Sequence, residues 1–295
     1  MKSRILSRSY RYTFLVPAAF TFTVFFVLPA VLGLILSFTN ATMYSNDSNF
    51  IGLANYQRLF GPNGALFFGS IFNQVKFAIA STSGKTIIGV ALALFLNQLF
   101  KGRNFVRAIV YLPIMFSTIV VGILFNFILS QNGLLNQILA NVGLSAFIHD
   151  WFGDFNIALF SIAGVDVWMG VGWTVVLVLA ALQAIPEDIV EAAQLDGANG
   201  IRMTAYIKIP FVMHAISLAA LLTFIAGMQA FDIIYATTGG GPGNSTEVMA
   251  TFIARQLGTG NLGYPAAASF VQFALIAVIA VVINRFVGKT ETIAE

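Results

Sequence analysis

Gly84-Lys85-Thr86 copies the end of a phosphate-binding loop, and Gly239-Gly240-Gly241-Pro242-Gly243 is a second glycine-rich stretch. A phosphate-binding loop needs another glycine five residues earlier and a preceding strand, but that position is Ile79 and the run around it is apolar. No nucleotide site is expected there. The later run has no lysine behind it and reads as a turn. Asp166 and Asp232 lie in or beside long apolar stretches, where carboxylates are costly and are functional candidates by default. Their chemistry would be to accept hydrogen bonds from hydroxyl groups. Asn126, Gln229 and Gln272 offer amides nearby, and Trp168, Trp173 and Tyr235 offer stacking surface. Two structural readings compete: Asp232 reaches interfacial water, and the tryptophans are packing residues. Lys85 either pairs with a carboxylate across the bundle or extends toward an interface, as Lys76 is expected to do. There is no cysteine, and the two histidines, His149 and His214, assemble no metal spacing. No nucleophile with a base and no paired carboxylates share one depth, so neither a catalytic residue nor a metal ligand is expected.

The elements that position these residues follow from composition. The 295 residues are 58% hydrophobic and 9% charged, with mean hydropathy +0.86. Soluble domains carry roughly 25% charged residues. Six stretches are long and apolar enough to span lipid: Phe14 to Phe38, Phe77 to Leu99, Ala108 to Leu129, Ile157 to Leu182, Phe211 to Tyr235, and Tyr264 to Val287. The second is interrupted by Ser81, Ser83, Gly84 and Lys85. The expected fold is therefore an all-α integral membrane protein of about six transmembrane helices. A cytoplasmic N-terminus puts Lys2, Arg4, Arg8, Arg11, Lys101, Arg103, Arg107, Arg202, Lys208, Arg285 and Lys289 inside, against Arg58 and Arg255 outside. Both termini are then cytoplasmic. The first run is too long for a signal h-region of roughly 7 to 15 residues and reads as a retained span. Asp166 enters from the outside, roughly 13 Å down its helix at 1.5 Å per residue. Outer loops at Asn40 to Asn49, Gly61 to Gly64 and Gln131 to Asn156 carry turn residues and interfacial Trp151 and Phe152.

Gln183 to Pro210, between the fourth and fifth spans, is the longest cytoplasmic connection. Pro186 suits a first helical position, Glu187 and Asp188 suit the first turn, and Gly197 suits a C-cap. A short helix from Pro186 to Asp196 is predicted, with Asn199 capping a second that runs through Met203 and Tyr206 toward Pro210. Ala192 and Ala193 keep one surface of the first helix thin enough for a partner's groove.

Glu191-Ala192-Ala193, Asp196-Gly197-Ala198, Ile207 and Pro210 match in type and spacing the signature loop of permease subunits of binding-protein-dependent importers. Within that family the chain resembles the maltose and multiple-sugar permeases. Tyr111-Leu112-Pro113, Ala180 to Pro186, and Phe231 to Tyr235 leading into Thr238 to Gly243 support the closer likeness. It covers the chain from about Phe68 onward. The division it implies is residues 1–67 (tail, first helix, outer loop), a five-helix core at 68–290 containing the loop at 183–210, and a tail at 291–295. Ile209 stands where leucine is usual, Thr204 where an aromatic is common, and His214 where a second proline is frequent. The first swap keeps volume; the other two bear on how the second helix packs.

The resemblance implies a type I ATP-binding-cassette importer permease fold with a coupling helix in the loop. It implies two copies of a cytoplasmic ATPase subunit, which would bind ATP and magnesium, while this chain holds no cofactor and hydrolyses nothing alone. It implies also a second homologous permease, an extracytoplasmic solute-binding protein, a sugar or oligosaccharide substrate, and a prokaryotic cytoplasmic membrane; no nucleic acid is expected. A neutral sugar is favoured, because the spans hold no arginine away from their ends. The rival class is an ion-coupled carrier with Asp166, Asp232 and Lys85 as coupling groups. An intramembrane enzyme is disfavoured by the missing catalytic set.

Overall fold

The computed structural model describes residues 15–45 and 48–288. Phe14, Lys2, Arg4, Arg8, Arg11 and Lys289 lie outside these residues, as does the tail at 291–295. In chain order the helices are α1 (Val16–Ser37), α2 (Ala54–Phe60), α3 (Ala65–Leu96), α4 (Arg103–Met115), α5 (Thr118–Ile128), α6 (Leu134–Asn141), α7 (Ala158–Gln183), α8 (Glu187–Leu195), α9 (Gly200–Met228), α10 (Asp232–Thr237), α11 (Met249–Gly258) and α12 (Gly263–Gly288). Five of them are long and apolar enough to cross a membrane, six if α4 and α5 form one broken span. The all-α membrane fold is therefore as expected, and three spans differ in detail.

The second span begins at Ala65, not Phe77, and runs for 32 residues. Pro62 opens a tight turn that feeds directly into it. Asn73 and Gln74 lower the hydropathy of the early turns, but they bond to distant backbone: Asn73 Nδ2 donates to Asn244 O and Glu247 O in a loop, and Gln74 Nε2 to Gly227 O at the end of α9. At about 1.5 Å per residue α3 is roughly 48 Å long, longer than the ~30 Å apolar layer, so it projects or tilts.

The third span is not continuous: α4 and α5 meet at 100°. Pro113 sits in a 3-10 turn, and Phe116 and Ser117 take extended ψ values of 150° and 131°. The fifth span starts earlier and stops earlier than expected. Its helix is one rod from Gly200 to Met228, and the chain breaks at Gln229 before restarting at Asp232.

Pro210 does not end that rod, because a π turn over Met203–Lys208 precedes it and Ile209 N donates to Thr204 O. The wider turn relieves the clash between a proline ring and the carbonyl four residues back. The same device recurs in α1, where a π turn over Thr23–Val27 precedes Pro29.

Small residues set the most extensive helix contact, that of α3 with α7. A Cβ on Gly84 would come 2.6 Å from Val167 Cγ2, and one on Gly89 would come 2.7 Å from Thr174 Cγ2. Lipid tails are as apolar as leucine, so helices in a membrane gain most from such close approach. Around this seam lie one apolar cluster containing Phe77, Ile162 and Ile234 and another containing Leu96, Val178 and Val212. α1 packs along α12 and is otherwise exposed, with Phe20, Phe25 and Phe26 each about two-thirds accessible, at 67%, 68% and 66%.

Candidate functional site

The cytoplasmic loop is built as its sequence dictates. Pro186 is the N-cap of α8, Glu187 and Asp188 occupy its first turn, and Asp196 is its C-cap. Gly197 follows at φ +86°. Its N–H donates to Gln194 O and that of Ala198 to Ala193 O, the paired bonds of a Schellman ending. Asn199 holds the N-cap position of α9 with extended backbone, although its side chain makes no capping bond. Ala193 and Met203 are buried where the two arms meet. Leu195, Ile201 and Tyr206 are 90%, 87% and 76% exposed, an unusual apolar face outside the spans. Ile207 lies in the π turn and Pro210 in the first turn of the regular helix beyond it.

A cavity of about 330 Å³ lies between α3, α5, α7, α9 and α10. Lys85, Thr118, Asp166, Met169, Gln229 and Asp232 are among the residues that line it. Thr118 follows the break before α5, and Gln229, Ala230 and Phe231 are the break between α9 and α10. The break between α9 and α10 therefore faces the cavity, the setting in which irregular backbone is tolerated at membrane depth, and the first residue of α5 joins it there. Lys85 Nζ donates to Asp166 Oδ2 at 2.7 Å and Ser81 Oγ to the same oxygen at 2.5 Å. Lys85 is thus the partner of Asp166 and does not extend to an interface.

Of the sequence candidates, Asp166, Gln229 and Asp232 come together in this cavity. Tyr235 is stacked on Phe231 with ring centroids 5.1 Å apart and is itself exposed. Asn126 donates to Thr237 O, and Gln272 to Met228 O, so both amides hold helix ends. Trp168 lies about 200° round the helix from Asp166. It leans on Phe125 in a separate apolar cavity of about 500 Å³. Trp173 is half-exposed, at 42%. Sequence reasoning missed Thr118, the bond of Ser81 to Asp166, and the two breaks as such, although it named Gln229; Pro113 followed by Ser117 was the available signal for the first break.

On the other face the glycine run forms a clasped loop. Arg255 bonds to Glu247, to Asn244 Oδ1 and to Gly239 O. Burial pushes the Glu247 carboxyl above the usual carboxylate range, against the pull of Arg255. Gly240, at φ +95°, is required there, because a Cβ would meet Glu247 Oε2 at 2.4 Å. Gly84-Lys85-Thr86 lies within α3 and forms no loop.

Known proteins give this geometry a context. The family model described as "Binding-protein-dependent transport system inner membrane component" matches residues 85–290. A probable ABC transporter permease protein of Bacillus subtilis, YurN, is 33% identical over 95% of this chain and 97% of its own. The trehalose/maltose transport system permease protein MalF of Thermococcus litoralis is 34% identical over 90% of this chain and 89% of its own. A chain of a bacterial ABC transporter involved in the import of the acidic polysaccharide alginate superposes with TM-score 0.82 at 24% identity, covering 94% of each chain. Family model, relatives and fold agree: the chain belongs to the inner membrane components of binding-protein-dependent transport systems.

Proposed function

We propose that this chain is one permease half of an ATP-driven sugar importer in a prokaryotic cytoplasmic membrane, working with a second homologous permease, two copies of an ATPase subunit and an extracytoplasmic binding protein. The observation that carries the reading is the continuity of α9. One helix of 29 residues starts in the cytoplasmic loop and ends one residue before Gln229 of the cavity. At about 1.5 Å per residue it is a rod of roughly 43 Å. A displacement of the loop by a docked ATPase would reach the cavity wall without crossing a flexible joint. Glu191, Ala192, Ala193, Asp196, Gly197, Ala198, Ile207 and Pro210 would form or brace the docked surface. Asp166, Gln229 and Asp232 would meet the sugar, with hydroxyl groups as donors to the two carboxylates. Asn126, Trp168, Trp173, Tyr235 and Gln272 would act by holding or flanking that wall. The relative named for trehalose and maltose supports a sugar as substrate. ATP and magnesium would bind the ATPase subunits, and this chain would hydrolyse nothing alone.

The test is uptake by proteoliposomes that hold the complete importer, offered a panel of labelled sugars. Uptake is expected to require ATP inside and the binding protein outside, and to be indifferent to proton and sodium gradients. Gradient-driven uptake without the ATPase would instead establish an ion-coupled carrier using Asp166, Asp232 and Lys85.

A further inference from the structure

Asp166 shows its two oxygens to different neighbours. Oδ2 accepts from both Ser81 and Lys85, whereas no hydrogen bond to Oδ1 is made among the described residues. Asp166 lines the cavity, which leaves Oδ1 as the oxygen that faces it. Lys85 is 6% exposed and is seated against α7 where that helix has Gly170; a Cβ there would come 2.6 Å from Lys85 Cε. In that seat the ammonium is bonded to Oδ2 at 2.7 Å. The formal charges of Lys85 and Asp166 cancel, and the remaining ionisable group in the lining is Asp232, which is exposed.

From this arrangement we infer that Lys85 is a positioning and specificity residue: it fixes Asp166 Oδ1 as an oriented acceptor for one hydroxyl of an uncharged sugar, while Asp232 leaves the cavity net negative and closed to anionic sugars. The ligand part rests on the importer reading above; the electrostatic part rests on geometry alone. An ordinary structural ion pair would need neither an oxygen left open to a cavity nor a second carboxylate across it. An uncharged polyol gains an acceptor at Oδ1 and a further acceptor at Asp232 without bringing a charge out of water. A uronate or sulfonate would meet the uncompensated charge of Asp232 in a lining with no free cation, and like charges repel.

The chain has no native cysteine, so a single Ala226→Cys on the exposed cavity wall reports the local potential. The complete importer in proteoliposomes is treated with trimethylammonium-ethyl and with sulfonatoethyl methanethiosulfonate. Rates are divided by those for a free thiol. The cationic reagent is expected to be preferred. Lys85→Met should raise that preference about fivefold or more, and Asp232→Asn should lower it by a similar factor. Lys85→Met with Asp166→Asn should return it to the starting ratio, which a general loss of packing would not do. An anionic preference, or a ratio unmoved by Lys85→Met, overturns the inference. In the same vesicles maltotriose should be taken up in preference to trigalacturonate. If the reagents follow the charges but the acidic sugar enters as well as the neutral one, the exclusion of anions is wrong. If the reagents follow the charges and the ATP-dependent panel yields no sugar at all, the importer reading falls and the placement of charge stands.

Discussion

Gly197→Val is expected to reduce ATP-driven transport by about tenfold or more while the chain still inserts and folds, because a left-handed L residue costs roughly 1–2 kcal/mol and β-branching adds to it. Nothing lies within 4 Å of the place a Cβ would take, so the side chain has room and the cost falls on the backbone alone. At φ +86° Gly197 permits the two bonds that close α8, from its own N–H to Gln194 O and from Ala198 N–H to Ala193 O. Valine would open that ending and redirect the chain between α8 and the rod α9. Asparagine tolerates the left-handed region far better, so Gly197→Asn should keep most of the transport. Uptake by proteoliposomes, with membrane insertion scored separately, decides the matter. Full transport by the valine variant would mean that the angle between α8 and α9 carries no motion.

Asp166→Leu has the largest expected effect on stability, about 3–5 kcal/mol, because it leaves the Lys85 ammonium buried without its counter-charge. Lys85 cannot move far: its stem lies against Gly170, and the surrounding α3–α7 seam is closed by Gly84 and Gly89. Removing both charges with Lys85→Met and Asp166→Leu should recover most of the loss, since a well-packed apolar pair is often as stable as the ion pair it replaces. Thermal unfolding of the four proteins in one detergent gives the coupling between the two positions. A single variant as stable as the double would show that the pair contributes no net attraction. The cavity would then owe its shape to the glycine seam alone.

How much of this was legible in sequence divides along one physical line. Properties written locally were readable. The loop helix, its acidic first turn and its glycine ending follow from Pro186, Glu187, Asp188 and Gly197; the structure has Glu187, Asp188 and Gly197 where expected, while Pro186 stands at the N-cap, one place before the first helical position. The burden of lipid exposure made the spans visible, and the cations placed their ends. What hydropathy could not show was where a span bends or where a polar residue finds a distant partner. Gln74 and Asn73 lower the apolarity of α3, yet their partners lie more than 150 residues away, at Gly227 and at Asn244 and Glu247. The breaks at Phe116–Ser117 and Gln229–Phe231 are likewise tertiary. The second faces the cavity, and Thr118 reaches the same cavity from just past the first. The tryptophans illustrate the converse: Trp168 has the chemistry of a sugar-stacking residue, but its position on α7 turns it to Phe125 and an apolar hollow.

The glycine loop on the outer side carries a related lesson. Its glycines read as a turn, and the structure adds why the turn is fixed: the Glu247 side chain is only 2% exposed and is held by Arg255, itself 46% exposed. A buried carboxylate that loses its cation is costly. Thr246 closes the same loop through Thr238 and Gly241 O. The loop is thus a rigid rim beyond α10, on the side opposite to the cytoplasmic knob.

In the proposed importer an ATPase subunit grips the apolar tip of the loop. A photo-reactive amino acid at position 195, in place of the 90% exposed leucine, tests it in native membranes that contain the whole importer. Illumination should join this chain to an ATP-hydrolysing subunit, in a yield that changes when nucleotide is trapped. Adducts confined to lipid or to an extracytoplasmic protein would show that the loop tip meets no ATPase.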